Sequence, residues 1–145
     1  MAKKQLAQIN IAQMKADKTD PIMKEFVDFL DPINKLADES NGFIWRLVDA
    51  TTIASPWDNE MLIINMSIWE DIPALKNFTY HTAHSYFVKN RKKWFHILEQ
   101  PHYVLWWVEA GHIPTLAEAA EKLHLLEQNG PTLDAFTFAH TFEPD

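Results

Sequence analysis

The sequence contains no cysteine among its 145 residues. This absence excludes disulfide bonds, thiol nucleophiles and cysteine-ligated zinc, iron–sulfur or heme centres. Glycine occurs only three times. The glycine-rich phosphate loop, the Gly-x-Ser-x-Gly elbow of hydrolases and the His-Glu-x-x-His zinc motif are all missing. The sequence therefore does not indicate any of these motif-based enzyme classes.

Positive charge and long apolar runs are also scarce. The chain has 13 basic and 20 acidic residues, a net charge of −7, and one short basic cluster, Arg91-Lys92-Lys93. Nucleic acid is therefore not an expected partner. No apolar run approaches the ~20 residues of a membrane helix, and the N-terminus leads into a strand pattern rather than a signal peptide. We expect a cytoplasmic protein that does not bind membranes. With 47% hydrophobic residues, residues 1–145 are predicted to form one domain.

Alternation of apolar and polar residues predicts four β-strands, at residues 6–14, 43–49, 62–69 and 101–109. Asp20-Pro21 predicts the start of a first helix that ends at Asn41-Gly42, and Pro32 is expected to kink or split it near Asp31. Residues 50–60 are predicted to form a hairpin loop.

The second half of the chain is predicted to contain two further helices. Asp71 is expected to cap a long helix over residues 72–98, with a bend around residues 79–82. A Thr115-to-Glu118 capping box begins a third helix, which ends at Gly130-Pro131. The tail at residues 135–142 alternates, so it is expected to add an edge strand or to reach a partner chain.

The order of elements is β-α-β-β-α-β with an extra C-terminal helix. This order predicts an α+β fold, with a ferredoxin-like antiparallel sheet and its helices on one face. The third strand is apolar on one face, while its other face carries Asn65, Ser67 and Trp69 and matches Asn10 on the first strand. With helices on the apolar side, the polar face would be open and would form the floor of a site. We therefore predict that a second copy covers it in a homodimer.

The chain resembles the dimeric α+β barrel superfamily, which includes the antibiotic-biosynthesis-monooxygenase group. Within that superfamily it most closely resembles a bacterial family known as a domain of unknown function. The stretches that carry this resemblance are QLAQINIAQMKA, NGFIWRL, MLIINMSIWEDIPALKNF, AHSYFVKNRKKWF and VLWWVEAGHIPTLAEAAEKLHLLEQNGPTLDAFTF. The resemblance covers nearly the whole chain and implies the fold, but it implies no established activity.

A second resemblance, to the heme-degrading monooxygenases of the same superfamily, implies roles for individual residues. Asn10 on the first strand and Trp69 at the end of the third, in SIWED, would lie over the distal face of a heme. His84, in TAHSYF, would be the axial ligand of the iron. Arg91 would be a candidate partner of a heme propionate.

Each of these residues also has an ordinary structural interpretation. His84 is either a ligand or catalytic group or a hydrogen-bonded helical histidine. His81 lies one turn earlier, but a third metal ligand at helical spacing is missing. Asn10 either faces a ligand or bonds to a neighbouring strand. Trp69 forms a pocket wall or packs in the core or dimer interface.

The remaining candidates for a substrate pocket are polar side chains spread along the chain. Arg46 and Arg91 either hold a carboxylate or form surface salt bridges. His112, before the third helix, either lines the pocket or bonds within its loop. The predicted pocket is completed by Asn65, Ser67 and His81.

Three functions fit these residues. The first is a heme-dependent oxygenase. The second is a cofactor-free oxygenase that acts on an electron-rich apolar or aromatic small molecule, in a pocket with a few positioned polar groups. The third is no enzyme at all, but a homodimer that binds a small apolar ligand or has a structural role. The leading hypothesis is a monooxygenase-like oxidoreductase.

Overall fold

A computed structural model describes residues 3–48, 55–57, 59, 61–98 and 101–144. The described chain is an α+β structure in which a four-stranded antiparallel sheet packs with four α-helices. The elements in chain order are β1 (Lys4–Gln13), α1 (Lys24–Asp38), β2 (Phe43–Arg46), β3 (Leu62–Trp69), α2 (Ile72–His81), α3 (His84–Asn90), β4 (Tyr103–Glu109) and α4 (Leu116–Asn129).

The sheet has the strand order β2-β3-β1-β4, so β1 lies between β3 and β4. The four predicted strands are confirmed. The second is shorter than predicted, because the register shifts between Phe43 and Trp45 and regular pairing ends at Arg46. Asn10 at the centre of β1 lies opposite Asn65 on one side and Tyr103 on the other. The sheet therefore brings these three side chains into one row.

The first helix begins as predicted and runs without interruption. The Asp20 carboxylate accepts the Ile22 N–H at 3.0 Å, above a 3₁₀ turn at Pro21–Met23 that leads into α1. The expected split near Asp31 is wrong, because α1 is continuous through Pro32. Proline removes the bond to the carbonyl of Asp28, and both residues are exposed. Water can therefore satisfy that carbonyl.

The predicted helix over residues 72–98 is not continuous: it breaks between α2 and α3, at the place of the predicted bend around residues 79–82, and a 3₁₀ turn follows at Arg91–Lys93. The break lies at Thr82, which is extended with φ −124° and ψ −175°. Its hydroxyl donates to the Phe78 carbonyl at 2.6 Å, and the Thr79 hydroxyl donates to the Leu75 carbonyl at 2.9 Å. Threonine side chains that bond back to the preceding turn compete with the helical ladder. The predicted cap is confirmed, since Asp71 accepts the Ala74 N–H at 2.9 Å.

Helices cover both faces of the sheet, and this corrects the prediction that they lie on one face only. The apolar face of Ala7, Ile9, Met66 and Ile68 packs under α4. The opposite face, which carries Gln8, Ser67 and Trp69, packs under α1, α2 and the C-terminal tail. The polar face expected to be open is therefore largely covered by its own chain. Internal hydrogen bonds allow its polar side chains to be buried without a second copy.

The C-terminal tail closes part of the outer edge of β4. Leu105 and Phe136 exchange two backbone hydrogen bonds, of 2.8 and 2.9 Å, and the Phe136 side chain is fully buried. The tail thus pairs with β4 through a single bridge, whereas a full edge strand was one of the two expectations for it. The predicted hairpin loop at residues 50–60 lies largely outside the described residues.

The third predicted helix is confirmed as α4, since the Thr115 hydroxyl accepts the Glu118 N–H at 3.1 Å and the helix ends before Gly130. Gly42 follows α1 with φ +83°, and a Cβ at this position would lie 2.5 Å from the Cβ of Ala74. Only glycine fits where β2 begins against α2. None of the described helices is both long and apolar enough to span a bilayer.

Candidate functional site

A hydrogen-bonded network crosses the covered face between β1 and β3. Gln8 Nε2 donates to Asn65 Oδ1 at 2.7 Å and to Ser67 Oγ at 2.8 Å. Trp69 Nε1 also donates to Ser67 Oγ, at 2.8 Å. Gln8 and Ser67 are buried, whereas Asn65 is exposed. The network therefore runs from the core to the surface and ends at an amide that is open to solvent.

Trp69 belongs to the core. Its side chain is 1% exposed, and its ring contacts Phe43 at 5.4 Å and stacks on Phe78 at 5.2 Å, measured between ring centroids. With its indole N–H bonded to Ser67, it has no free polar group. The structure therefore supports the core interpretation of Trp69 over that of a pocket wall.

His84 is half-buried at the start of α3, and its protonation can be assigned from one contact. Its Nδ1 lies 3.1 Å from the Thr79 carbonyl oxygen. A carbonyl only accepts hydrogen bonds, so Nδ1 carries the proton and Nε2 keeps the lone pair. Burial lowers the pKa of His84 below its ordinary value of 6.5, while the bond to Thr79 opposes that shift. His84 is therefore a neutral imidazole near pH 7.

The helix break is what makes this contact possible. In an unbroken α-helix the Thr79 carbonyl would accept the N–H of Ala83. Because the chain is extended at Thr82, that carbonyl is free and the His84 ring reaches back to it. The ring also packs on Phe78, with 4.9 Å between centroids. Backbone and aromatic contacts together fix the orientation of the imidazole.

The second nitrogen of His84 is not fully enclosed. No described residue bonds to Nε2, and within the described part of the chain no fully buried side-chain nitrogen or oxygen lacks a partner. Nε2 is consequently not enclosed. A lone pair that is fixed in direction and accessible is suited to accept a proton or to bind a ligand.

Polar and aromatic side chains on this face of the sheet are linked to His84 through a series of contacts. Asn10 and Asn65 lie opposite each other on the sheet, and both are exposed. Tyr103, which pairs with Asn10, contacts Phe138 at 6.2 Å, and Phe138 contacts Tyr80 at 5.6 Å. Tyr80 follows Thr79, which binds His84.

These contacts and those of the buried network form a closed series of contacts that includes His84. We name Asn10, Asn65, Tyr80, His84 and Tyr103 the His84 site.

The two arginines of the chain have different surroundings. Arg46 donates two hydrogen bonds to Asp38, at 2.8 and 3.3 Å, and so forms the surface salt bridge that was its alternative interpretation. Arg91 donates to the Val88 carbonyl at 2.7 Å and forms no salt bridge with any described residue.

Arg91 also acts electrostatically on Tyr80 of the His84 site and on His102. Burial chiefly lowers the pKa of His102, and the charge of Arg91 lowers it further. Burial and then Tyr103 raise the pKa of Tyr80, and Arg91 opposes that rise. An uncompensated cation therefore lies within reach of the site.

The other predicted pocket residues lie elsewhere. His81 ends α2 and is exposed, and the break separates it from His84. His112 bonds to Glu118 at 2.7 Å, near the start of α4. Ser67 is internal to the network. Across the described ranges no three histidine or acidic side chains are grouped closely enough to hold a metal ion.

The described residues do not fit a heme held between His84 and Trp69. Phe78 lies between them, in ring contact with His84 at 4.9 Å and stacked on Trp69 at 5.2 Å. A porphyrin that touched both residues would have to displace Phe78, which is 8% exposed and part of the core. The arrangement of heme ligand and distal residues that the resemblance implies therefore does not fit the packing of these three side chains.

Sequence reasoning missed several residues of the site. Gln8 lies on the polar face of β1 together with Asn10, and the alternation of β1 was sufficient to place it on that face. Tyr103 begins β4, and Tyr80 lies near the end of α2. Neither residue is part of a sequence motif. Their proximity depends on Phe138 in the tail, which no pattern in the sequence predicts.

Comparisons with known proteins give the family but no activity. No curated protein matches the chain. The chain is similar to the NE2512 protein of unknown function from Nitrosomonas europaea, with 14% identity, 79% of this chain and 99% of that chain covered, and a TM-score of 0.49. It is also similar to PA3566 from Pseudomonas aeruginosa, with 10% identity, coverage of 79% and 99%, and a TM-score of 0.48. The model of the family described as "Domain of unknown function (DUF3291)" matches residues 5–145, and the chain therefore belongs to that family.

Proposed function

We propose that the protein binds a small planar aromatic molecule with an acidic hydroxyl group at the His84 site, and that His84 accepts the hydroxyl proton. The observation that carries this proposal is the contact between His84 Nδ1 and the Thr79 carbonyl, because it leaves the Nε2 lone pair free. The amides of Asn10 and Asn65 supply hydrogen bonds to the ligand, and Arg91 stabilises the phenolate charge.

The reaction class that suits such a ligand is a cofactor-free oxygenation. A phenolate is electron-rich and can itself reduce dioxygen. One oxygen atom enters the ring as a carbonyl, and the other leaves as water with the ring hydrogen and the hydroxyl hydrogen. The substrate supplies all the electrons, so 1-naphthol and dioxygen give 1,4-naphthoquinone and water without an external reductant. His84 removes the first proton and returns it to the departing oxygen.

We also propose that the fold is ferredoxin-like and related to the dimeric α+β barrels of the antibiotic-biosynthesis-monooxygenase group. The support is the β-α-β-β-α-β order and the antiparallel strand order β2-β3-β1-β4. The additional helix α4 covers the face of the sheet opposite α1 and α2.

Replacing His84 with glutamine is expected to lower the rate of 1-naphthol oxidation by about 10²–10⁴-fold, because no general base remains. The rate of the unchanged protein is expected to fall only below the ordinary histidine pKa of 6.5. The direction of this pH dependence follows from the lowered pKa of His84, since the imidazole stays neutral at higher pH and becomes protonated in acid. An oxygen electrode and naphthoquinone absorbance measure the rate.

The matched control is His81→Gln, which changes an exposed histidine at the end of α2 and is expected to keep the full rate. Equal rates in His84→Gln and the unchanged protein would rule out His84 as the base. Saturable binding of 1-naphthol without oxygen uptake would instead favour the non-enzymatic alternative, a protein that binds a small ligand without transforming it.

We further propose that the protein forms a homodimer, although the polar face is not available for it. The support is now the edge strand β2, where Ile44 is 37% exposed, and Val48 just beyond it, which is 80% exposed. Edge strands with exposed apolar residues favour pairing with another chain. Sedimentation equilibrium at several protein concentrations is expected to give twice the mass of the chain. A mass of one chain at every concentration would contradict the proposal.

A further inference from the structure

A cluster of lysines forms where α3 passes into the 3₁₀ turn that follows it. Lys89 lies in the last turn of α3, and Lys92 and Lys93 lie in the 3₁₀ turn. These three positions differ by three and four residues, the spacing at which side chains of a helical segment are neighbours. All three side chains are exposed. This segment therefore presents its ammonium groups to solvent close together.

The fold adds a further lysine from a distant part of the sequence. The Lys15 ammonium group donates to the backbone carbonyl of Lys92, although 77 residues separate them. The backbone N–H of Lys15 donates to the Trp94 carbonyl at 2.8 Å, so the chain just after β1 is held against the chain just after the 3₁₀ turn. Lys15 is also exposed. We name Lys15, Lys89, Lys92 and Lys93 the lysine surface.

Two acidic groups lie near the lysine surface, and both are bonded to uncharged partners. Glu25 accepts the Tyr86 hydroxyl at 2.9 Å. Asp17, close to Lys15 in the chain, accepts the Thr19 backbone N–H at 3.0 Å and its hydroxyl at 2.8 Å. Neither carboxylate forms a salt bridge with a lysine of this surface. The surface thus has more positive than negative groups.

The clustering of the lysines works against the stability of the free protein. Like charges at helical spacing repel one another. The chain has 20 acidic residues and a net charge of −7, so alternating signs were available in its composition. Arg91, in the same turn, adds yet another positive charge. A local arrangement that costs stability is expected where it serves a contact. The lysine surface is therefore suited to an anionic partner.

Exposed apolar side chains accompany the lysines and indicate which anionic partner fits. Lys93 Nζ lies 5.9 Å from the centroid of the Tyr86 ring, and Tyr86 is 42% exposed. Ile97, shortly after the turn in the chain, is 76% exposed. An acidic polymer would contact the charges alone. A lipid surface accommodates both kinds of side chain, because its head groups bind lysine while tyrosine and isoleucine enter the boundary beneath them.

We propose that the lysine surface binds the surface of a membrane that contains anionic lipids. The short apolar runs of the sequence argue against a membrane-spanning helix, but contact with one leaflet requires no such run. At physiological salt the field of a charge is screened within about 8 Å. The acidic groups on distant parts of the chain therefore do not cancel the attraction of the lysines. This surface shares no residue with the His84 site.

Co-sedimentation with lipid vesicles tests the proposal. Vesicles of phosphatidylserine and phosphatidylcholine in equal amounts are expected to bind the protein, and vesicles of phosphatidylcholine alone are not. Replacing Lys89 and Lys92 together with glutamine is expected to weaken binding about 30-fold, since each lysine near an anionic leaflet contributes about fivefold. Ile97→Ser is expected to weaken binding about tenfold, through the loss of a buried apolar side chain.

The matched control replaces Lys3 and Lys76 with glutamine, because it changes the net charge equally at two exposed lysines outside this surface. It is expected to bind like the unchanged protein, and so is His84→Gln. The proposal is overturned if both kinds of vesicle bind equally, or if the Lys89 and Lys92 variant binds no more weakly than the control. Unchanged binding by Ile97→Ser, or binding to polyglutamate but not to vesicles, would overturn it in favour of an acidic polymer.

Discussion

Replacing Phe136 with alanine is expected to lower the free energy of unfolding by about 3–5 kcal/mol, the usual cost of deleting a buried phenylalanine ring. Phe136 is fully buried and contacts the rings of Trp107 at 6.3 Å and Phe142 at 5.9 Å. Without the ring, a cavity remains beneath the tail and the anchor of the edge bridge to Leu105 is lost. Urea denaturation followed by tryptophan fluorescence measures the change.

Phe29→Ala is the matched control for this experiment. Phe29 lies on α1 and is 48% exposed, so its loss is expected to cost about 1 kcal/mol or less. If Phe136→Ala cost no more than Phe29→Ala, the tail would not be packed on its own chain in solution. The alternative that the tail reaches a partner chain would then be favoured.

Replacing Ser67 with alanine is expected to destabilise the fold by about 2–4 kcal/mol, although the substitution removes a single oxygen atom. That oxygen accepts from Gln8 Nε2 and Trp69 Nε1, both at 2.8 Å. Gln8 is 8% exposed and Trp69 is 1% exposed. Both donors would lose a partner that water cannot readily replace. Thermal and urea unfolding measure the loss.

A double-mutant cycle separates this effect from simple loss of packing. In a Trp69→Phe background one of the two donors is already absent, so Ser67→Ala is expected to cost less than in the unchanged protein. Ser85→Ala, at a half-buried serine whose hydroxyl donates to no described residue, is the control and is expected to have little effect. An additive cycle would contradict the role assigned to Ser67.

The features that sequence reasoning predicted correctly are those set by neighbouring residues. Asp20, Asp71 and Thr115 each accept a backbone N–H two or three residues later in the chain. Such caps depend on local geometry alone. Likewise, strand alternation separates Ile9 from Asn10 without knowledge of what covers either face. Local physics was sufficient for the ends of helices and for the faces of strands.

The features that were missed depend on contacts between distant segments. The choice of which sheet face α1, α2 and α4 cover is made by packing of the whole chain. Trp69 was read as a possible pocket residue because a tryptophan at a strand end has the same sequence signature whether Phe78 stacks on it or not. For the long helix, the sequence predicted a bend around residues 79–82, but not a complete break at Thr82 that lets His84 reach the Thr79 carbonyl, the contact that defines its tautomer.

The break at Thr82 links backbone conformation to acid–base chemistry. The Thr79 carbonyl would accept the N–H of Ala83 if the helix continued. Because the helix ends, it accepts a hydrogen bond from the His84 imidazole. The choice between them decides which nitrogen of His84 holds its hydrogen. The extended conformation at Thr82 therefore fixes the tautomer of His84. The position at which α2 ends thus fixes the orientation of the His84 imidazole.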